Sequence, residues 1–212
     1  KVEIKINKTN STKSSLNRVL FINENLKLND LKKIISNKEF SYIADLLPKK
    51  NSKKKLIYFD FSSKNRIVLI LIKNEIKSSE VENIGANFFD FVKDNKNQNY
   101  EIDTNTLSSV KLKNFINYFL HGLKLKSYNF EKYKSKKENK RILVTVIGKN
   151  IPSSKSQIKF KAIEEGTFYT RDLVSEPGNV LHPDEYAKRL KTLTKDGLKI
   201  TVYDEKKLKK LG

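Results

Sequence analysis

Short apolar runs that alternate with stretches of helical spacing are the feature that most limits how this chain can fold. Seven runs have the length and pattern of strands, and the stretches between them place apolar residues at steps of three and four. The strands are predicted at Val2–Ile6, Arg18–Ile22, Lys55–Phe61, Arg66–Ile72, Tyr100–Ile102, Arg141–Ile147 and Leu198–Val202. Because parallel strands need crossover connections that carry helices, this order predicts an α/β fold with a sheet flanked by helices. A hairpin between the third and fourth runs would make the sheet mixed.

Three helices are predicted between the strands. The first has its apolar face within Leu28–Ile35. The second begins with a capping-box pattern at Ser79–Glu82 and extends to Val92. The third extends from about Ser108 to Phe130 and would be buried on one side. Each helix therefore has an apolar face with which it can cover the sheet.

A break at Gly148–Pro152 follows the sixth predicted strand. We therefore expect an amino-terminal α/β domain at residues 1–150. Helical spacing over Ser154–Val174 predicts a linker helix within residues 151–176. Residues 177–212 would then begin a further α/β segment.

This last segment has clear local signals for its ends. Pro183 stands in the first turn of a predicted helix, Gly197 closes that helix, and the last predicted strand and a short Lys-rich helix follow. A lone strand would leave its backbone N–H and C=O groups unpaired. We therefore expect the segment to be incomplete, with its sheet partners outside these 212 residues.

The composition excludes several classes of protein. Cysteine is absent, so disulfides, thiolate metal sites, a cysteine nucleophile and thiol redox chemistry are excluded in these residues. The longest unbroken apolar run, Ile67–Ile72, is about a third of the roughly 20 residues that cross a bilayer. The alternating residues Lys1–Ile6 do not resemble a secretion signal, so we expect no membrane partner and a cytoplasmic protein. Methionine is also absent, including at position 1, so either an initiator has been removed or the numbering begins inside a longer reading frame.

The net charge of +20 and the pI near 9.8 leave two interpretations open. Only five of the 44 basic residues are Arg. A protein that recognises bases or phosphates favours Arg, because its guanidinium can donate two hydrogen bonds to one group. Compositional drift with solvated lysines is therefore the preferred interpretation. The other is a surface that binds polyanions, interleaved with Tyr128 and Tyr133. Its candidate residues are Lys132, Lys134, Lys136, Lys137 and Lys140.

A search for catalytic chemistry finds no candidate. The two histidines, His121 and His182, are far apart. We expect the first to have a packing or surface role in a helix and the second to cap a helix. There is no HExxH motif, and the seven single glycines form neither a GxGxxG motif nor a P-loop. The acidic pairs Glu164–Glu165 and Asp184–Glu185 are adjacent, so they point to different sides of a helix. We predict no catalytic, cofactor-binding or metal-binding residue here.

The residues Tyr169–Pro183 read YTRDLVSEPGNVLHP. They closely resemble the ARDLVNxPxNxLTP pattern that introduces the catalytic domain in leucyl aminopeptidases. Thr170, Ser175 and His182 depart from the pattern but leave its Arg-Asp-Leu-Val core and its Pro and Asn spacing intact. Similar matches occur, in order, at Val19–Leu28, Phe119–Lys137 and Leu198–Gly212.

The resemblance implies a macro-domain-like amino-terminal module, joined by a long helix to a peptidase domain that forms a homo-hexamer. The family's peptidase domain acts on peptides with two divalent metals, Zn or Mn, held in motifs resembling FDSGG and NTDAEGR. Neither motif occurs in Lys1–Gly212, and we expect both beyond it. The chain would then be the amino-terminal, non-catalytic part of a cytoplasmic leucyl aminopeptidase, inactive alone and serving assembly and access.

Two other functions remain as alternatives. One is a nucleic-acid-binding module, since bacterial relatives in this family can also bind DNA. The other is a small-ligand-binding domain, because the implied fold is similar to macro domains that bind ADP-ribose. The absence of a glycine-rich phosphate loop weakens the second alternative, because likeness of fold does not carry function.

Overall fold

The fold is taken from a computed structural model, which describes residues 2–7, 17–25, 28–49, 55–63, 65–96, 98–107, 110–136 and 140–212. Contacts divide the chain into two compact units, residues 1–164 and 165–212. The division falls inside a long helix, and each unit is described by itself. The domain boundaries expected near residues 150 and 176 stay predictions.

A six-stranded sheet forms the centre of the first unit. Its strands are β1 (Val2–Ile6), β2 (Asn17–Asn23), β3 (Leu56–Ser62), β4 (Asn65–Ile72), β5 (Asn99–Asp103) and β6 (Ile142–Ile147). Their order is β1-β6-β5-β2-β4-β3. Strands β3 and β4 form the antiparallel hairpin, whereas the other pairs are parallel. The predicted α/β fold with a mixed sheet is therefore confirmed.

Six α-helices accompany these strands in the described part of the chain. They are α1 (Asn37–Leu46), α2 (Ser78–Val92), α3 (Phe115–Lys126), α4 (Ser154–Ser175), α5 (Pro183–Thr192) and α6 (Glu205–Leu211). The predicted linker helix corresponds to α4, and the helices at Pro183 and near the last residue are confirmed. None of the helices in the described ranges is long and apolar enough to span a membrane.

Three of the helix predictions differ from the structure. The apolar face at Leu28–Ile35 belongs to a short 3₁₀ helix, Leu28–Lys33, and the unpredicted α1 follows it. Helix α3 is shorter than predicted at both ends. Helix α2 begins one residue before Ser79, and the Glu80 carboxylate accepts from the Lys77 N–H.

Adjacent residues of the central strands pack on opposite faces of the sheet. In β2, Phe21 joins a core with Phe88 of α2 and Phe119 of α3, whereas Leu20 joins a second core with Ile43 of α1. A sheet that is covered on both faces needs apolar residues at every position of its central strands. This explains the continuous apolar run in β4, whose alternate residues divide between the same two cores.

The predicted strand at Leu198–Val202 is wrong. In the second unit, a 3₁₀ turn ends at Gly197 with φ of 85°, and residues 198–204 then have no regular structure before α6. Leu198 and Val202 are 54% and 40% exposed. A strand needs a hydrogen-bonded neighbour, and no strand is present among residues 165–212, all of which are described.

Candidate functional site

The predicted polyanion-binding lysines lie in the connection between α3 and β6. Lys132, Lys134, Lys136 and Lys140 are exposed, whereas Lys137 lies outside the described residues. The ammonium of Lys132 is 5.6 Å from the ring centroid of Tyr133, within the range of a cation–π interaction. Basic side chains beside an exposed ring are the groups that contact phosphates and stack on bases. The structure therefore brings four of the five candidates to the solvent in one short connection.

The segment that resembles the aminopeptidase pattern, Tyr169–Pro183, covers the end of α4 and the turn that leads into α5. Its residue Glu176 has a side chain that is only 1% exposed, and it accepts a hydrogen bond of 2.9 Å from Arg189 Nη1. Arg189 Nε also donates to Glu185 Oε1 over 3.0 Å. These bonds, to Glu185 and to Glu176, raise the pKa of Arg189 further above its ordinary value. One guanidinium thus ties α5 to the residue that follows α4.

From the sequence, Glu176 was considered only as one position of the segment that resembles the aminopeptidase pattern. A sign of its role was available, because Glu185 and Arg189 are spaced i and i+4 in a predicted helix, a spacing that pairs side chains. The contact from Arg189 back to Glu176 spans 13 residues, and no local pattern indicates it. The arrangement orients a turn and offers no free nucleophile or general base.

The second unit also exposes several large apolar side chains. These are Val174, Tyr186, Leu198, Val202, Tyr203, Leu208 and Leu211. Val174 is 82% exposed although it belongs to the Arg-Asp-Leu-Val core of the pattern, whereas its neighbour Leu173 is buried. Exposed apolar residues in such a number within about 40 residues are typical of a surface that packs against other protein.

The two histidines do not form a catalytic group. His121 is buried, its Nδ1 lies 2.9 Å from Glu82 Oε1, and its ring lies against Phe160 with centroids 5.3 Å apart. Of the two roles expected for it, packing or surface, the packing role is therefore confirmed. His182 occupies the N-cap position of α5, but its side chain makes no capping hydrogen bond. Among the described residues, no group of three or more His, Cys, Asp or Glu side chains could hold a metal ion.

Polar side chains hold the ends of the parallel strands together in the first unit. Thr104, in a 3₁₀ turn directly after β5, donates to the Ile147 carbonyl over 2.7 Å and accepts from the Asn150 N–H over 3.2 Å. Thr106 in the same turn accepts from the Phe21 N–H over 3.0 Å. The carboxyl ends of β2, β5 and β6 therefore meet around one short turn, which sequence reasoning did not single out.

Comparison with known proteins places this chain beside cytosol aminopeptidases. No family model matches it. The probable cytosol aminopeptidase of Rhizobium meliloti is 38% identical over 102 residues, which are 44% of this chain and 20% of that protein. The equivalent protein of Phytoplasma mali is 42% identical over 101 residues, with the same coverage. The Clostridium perfringens protein is 31% identical over 147 residues, which are 66% of this chain and 30% of that protein.

Solved structures show the same fold. A tomato leucine aminopeptidase mutant superposes with a TM-score of 0.75 and 18% identity, covering 100% of this chain and 46% of the other. The bottromycin maturation enzyme BotP gives 0.63 with 14% identity, covering 94% of this chain and 41% of the other. Cytosol aminopeptidase from Coxiella burnetii gives 0.60 with 11% identity, covering 90% and 37%. In each comparison, this chain spans less than half of the relative's length.

Proposed function

Because the chain is related in sequence and in fold to the cytosol (leucyl) aminopeptidases, we propose that it is the amino-terminal, non-catalytic part of such an enzyme. The parent would be a cytoplasmic hydrolase that removes amino-terminal residues from peptides. The sequence match to the aminopeptidases carries the proposal, together with a fold match that extends over the whole chain. The RDLV pattern, placed at the end of α4, agrees with it.

The chemistry of the parent would rest on residues outside this chain. The family resemblance implies two divalent metals, Zn or Mn, held by a Lys, three Asp and a Glu. When bound, such metals polarise a scissile carbonyl and activate a water molecule. The motifs that carry these ligands do not occur in the 212 residues, and the described side chains offer no metal-binding group. The residues present do not fit the metals, so no catalytic step is assigned to them.

The role of the chain would be assembly and shaping of substrate access in a homo-hexamer. The exposed apolar residues of the second unit support this role, since Val174, Leu208 and Leu211 are 82%, 55% and 68% exposed. Burying such side chains against other protein stabilises an assembly by about 25 cal/mol per Å² of apolar surface. Rigid positioning of α5 by the Glu176–Arg189 pair would present the exposed Tyr186 of that helix in a defined geometry.

Two experiments test this proposal. The isolated 212 residues should not hydrolyse leucine p-nitroanilide with Mn²⁺ or Zn²⁺, and turnover at the level of a full aminopeptidase would contradict the non-catalytic role. A chimera should then carry this chain in place of the aligned part of the Clostridium perfringens protein. If that protein has aminopeptidase activity, the chimera should assemble and retain it, and a soluble chimera that neither assembles nor hydrolyses would count against the assembly role.

A nucleic-acid-binding module is the second candidate, because four of the predicted lysines are exposed in one connection with an exposed Tyr133. Binding to duplex DNA should weaken by roughly 0.9 log unit per tenfold rise in salt for each phosphate contacted. Replacing Lys132, Lys134, Lys136 and Lys140 with Gln should reduce the affinity and this slope. The control replaces the exposed lysines Lys191, Lys195, Lys199 and Lys206, with the same loss of charge. Equal losses in both variants would indicate a non-specific effect of net charge.

A further inference from the structure

A cavity of about 500 Å³ opens at the carboxyl edge of the sheet in the first unit. It lies between the segment that leads from β5 into α3 and the loop that follows β6. The sheet changes direction between β2 and β5, and the cavity lies beside this point, at the carboxyl ends of β5 and β6. In open α/β sheets, ligands bind outside the carboxyl ends of the strands near such a point. The volume is that of small-molecule sites.

Asn117 contributes a polar side chain to the lining of this cavity. It lies in the first turn of α3, lines the cavity and is only 5% exposed. Its side-chain amide makes no hydrogen bond to any atom of the described residues. Neither of its amide atoms is fully enclosed, so both are open to the cavity, where polar groups normally pair with water or a ligand. An amide that faces an open cavity is a candidate ligand contact.

The amino-terminus of α3 points into the same cavity. Phe115 and Ile116 line it, and their N–H groups have no acceptor among the described residues. Asn114 precedes them with a left-handed φ of 60°, and its side chain makes no capping bond. The first N–H groups of a helix carry a partial positive charge and are satisfied by a cap, by water or by an anion. Here the protein supplies no side-chain cap.

Basic and apolar side chains complete the lining. Lys113 and Lys149 are exposed at the rim, whereas Lys111 is paired over 2.6 Å with Glu75 outside the lining. Leu107 and Ile151 provide apolar surface on the two sides of the cavity. The lining therefore combines positive charge, N–H donors and apolar surface.

We infer that this cavity binds a phosphorylated small molecule of about nucleotide size. Its phosphate would accept hydrogen bonds from the Phe115 and Ile116 N–H groups and from the Asn117 amide. Lys113 and Lys149 would contribute charge. A phosphate suits this set of donors because it has three acceptor oxygens and up to two negative charges. The less polar part of the ligand would lie against Leu107 and Ile151. This inference does not depend on the aminopeptidase assignment.

Heteronuclear NMR of the 212-residue chain tests the inference directly. AMP should shift the Phe115 and Ile116 amide signals and the Asn117 side-chain signal, inorganic phosphate should shift them more weakly, and adenosine should leave them in place. Lys149→Gln should weaken AMP binding about tenfold through the lost charge-assisted contact. Asn117→Asp should abolish it, because a carboxylate of the same shape repels phosphate. Lys38→Gln, at an exposed position of α1 outside the cavity, should bind AMP like the unmodified chain.

Several outcomes would overturn the inference. One is a saturating AMP titration that leaves the three signals unmoved, and another is equal AMP affinity in Lys149→Gln and in the unmodified chain. Shifts produced by adenosine alone would exclude a phosphate site, and shifts produced only by duplex DNA would assign the surface to a polynucleotide. If Asn117→Asp fails to fold, Lys149→Gln and Lys113→Gln decide, since both residues are exposed at the surface.

Discussion

Gly122 of α3 lies so close to Glu82 of α2 that a Cβ atom at position 122 would stand 1.9 Å from the Glu82 carbonyl oxygen. The contact is reciprocal, because a Cβ at Gly85 of α2 would stand 2.0 Å from the Phe119 carbonyl oxygen. In both cases the obstacle is backbone, which cannot rotate away. The two helices therefore pack with their backbones in contact, and this packing positions the amino-terminus of α3 at the cavity.

Replacing Gly122 with Ala should destabilise the first unit. An alanine gains about 1 kcal/mol of helix propensity over glycine, but the methyl group would force α2 and α3 apart. Overpacking of this kind costs about 1–3 kcal/mol, and more where backbone blocks the group, so a net loss of about 2 kcal/mol is expected. Urea unfolding followed by circular dichroism measures it.

Gly166 in α4 provides the matched control, because nothing lies within 4 Å of a Cβ built there. Gly166→Ala should therefore raise helix stability by about 0.5–1 kcal/mol. If Gly122→Ala stabilised the chain as much as Gly166→Ala does, the close approach of α2 and α3 would be wrong.

Thr104 should be required for the strand ends to meet. It is fully buried, and its hydroxyl links the Ile147 carbonyl with the Asn150 N–H. Thr104→Val keeps the shape but leaves both backbone groups without this partner, which should cost about 1–3 kcal/mol. Thr104→Ser keeps the hydroxyl and should lose less. Denaturant midpoints of the two variants give the comparison, and a Val variant as stable as the Ser variant would contradict the linking role.

The strands of the sheet could be predicted from sequence because burial on both faces gives them long apolar runs. Helix α1 was missed, although Ser36 and Glu39 form a capping box in which each accepts from the other's backbone N–H. Of its ten residues Ile43 is the buried one, whereas Phe40 and Leu46 are only partly buried against the second core. The pattern at Leu198–Val202 is that of a strand, but pairing with a neighbour decides whether a strand forms, and local sequence does not encode the neighbour.

The candidate sites were less predictable. The lysines of the α3–β6 connection could be identified because surface charge is visible in the sequence. Asn117 gave no signal, since a polar residue at that position looks like part of an exposed helix face. Its burial follows from the close packing of α3, which depends on single glycines in helices that are far apart in sequence.

Glu39 should make the stability of the first unit depend on pH in the acid range. Burial raises the pKa of Glu39, but hydrogen bonds from the Ser36 N–H and from Arg18, at 2.8 and 2.6 Å, outweigh it and hold the pKa below its ordinary value of 4.5. A lowered pKa in the folded state stabilises the protein above the ordinary pKa, and this stabilisation is lost as the pH falls through the folded pKa.

Glu39→Gln should therefore be less stable than the unmodified chain near neutral pH by about 1 kcal/mol, a value reduced for partial exposure of the pair. The difference should shrink as the pH falls below 4.5, where the unmodified carboxyl also becomes neutral. Thermal unfolding at a series of pH values measures it. A difference that is constant with pH would show that the carboxylate charge contributes nothing.

Arg189 should hold the turn between α4 and α5 in place. In Arg189→Gln, the buried Glu176 loses its guanidinium partner, and amide hydrogen exchange in α5 should be on the order of tenfold faster. Arg189→Lys should be intermediate, because one ammonium cannot reproduce the two directed contacts to Glu176 and Glu185. Lys188→Gln, which removes a charge that is 81% exposed on the same helix, should leave exchange unchanged. Equal exchange in the Arg189→Gln and Lys188→Gln variants would mean that the pair does not position α5, and that the backbone hydrogen bonds from the Val180 and Leu181 N–H groups to the Pro177 carbonyl are sufficient to hold the turn.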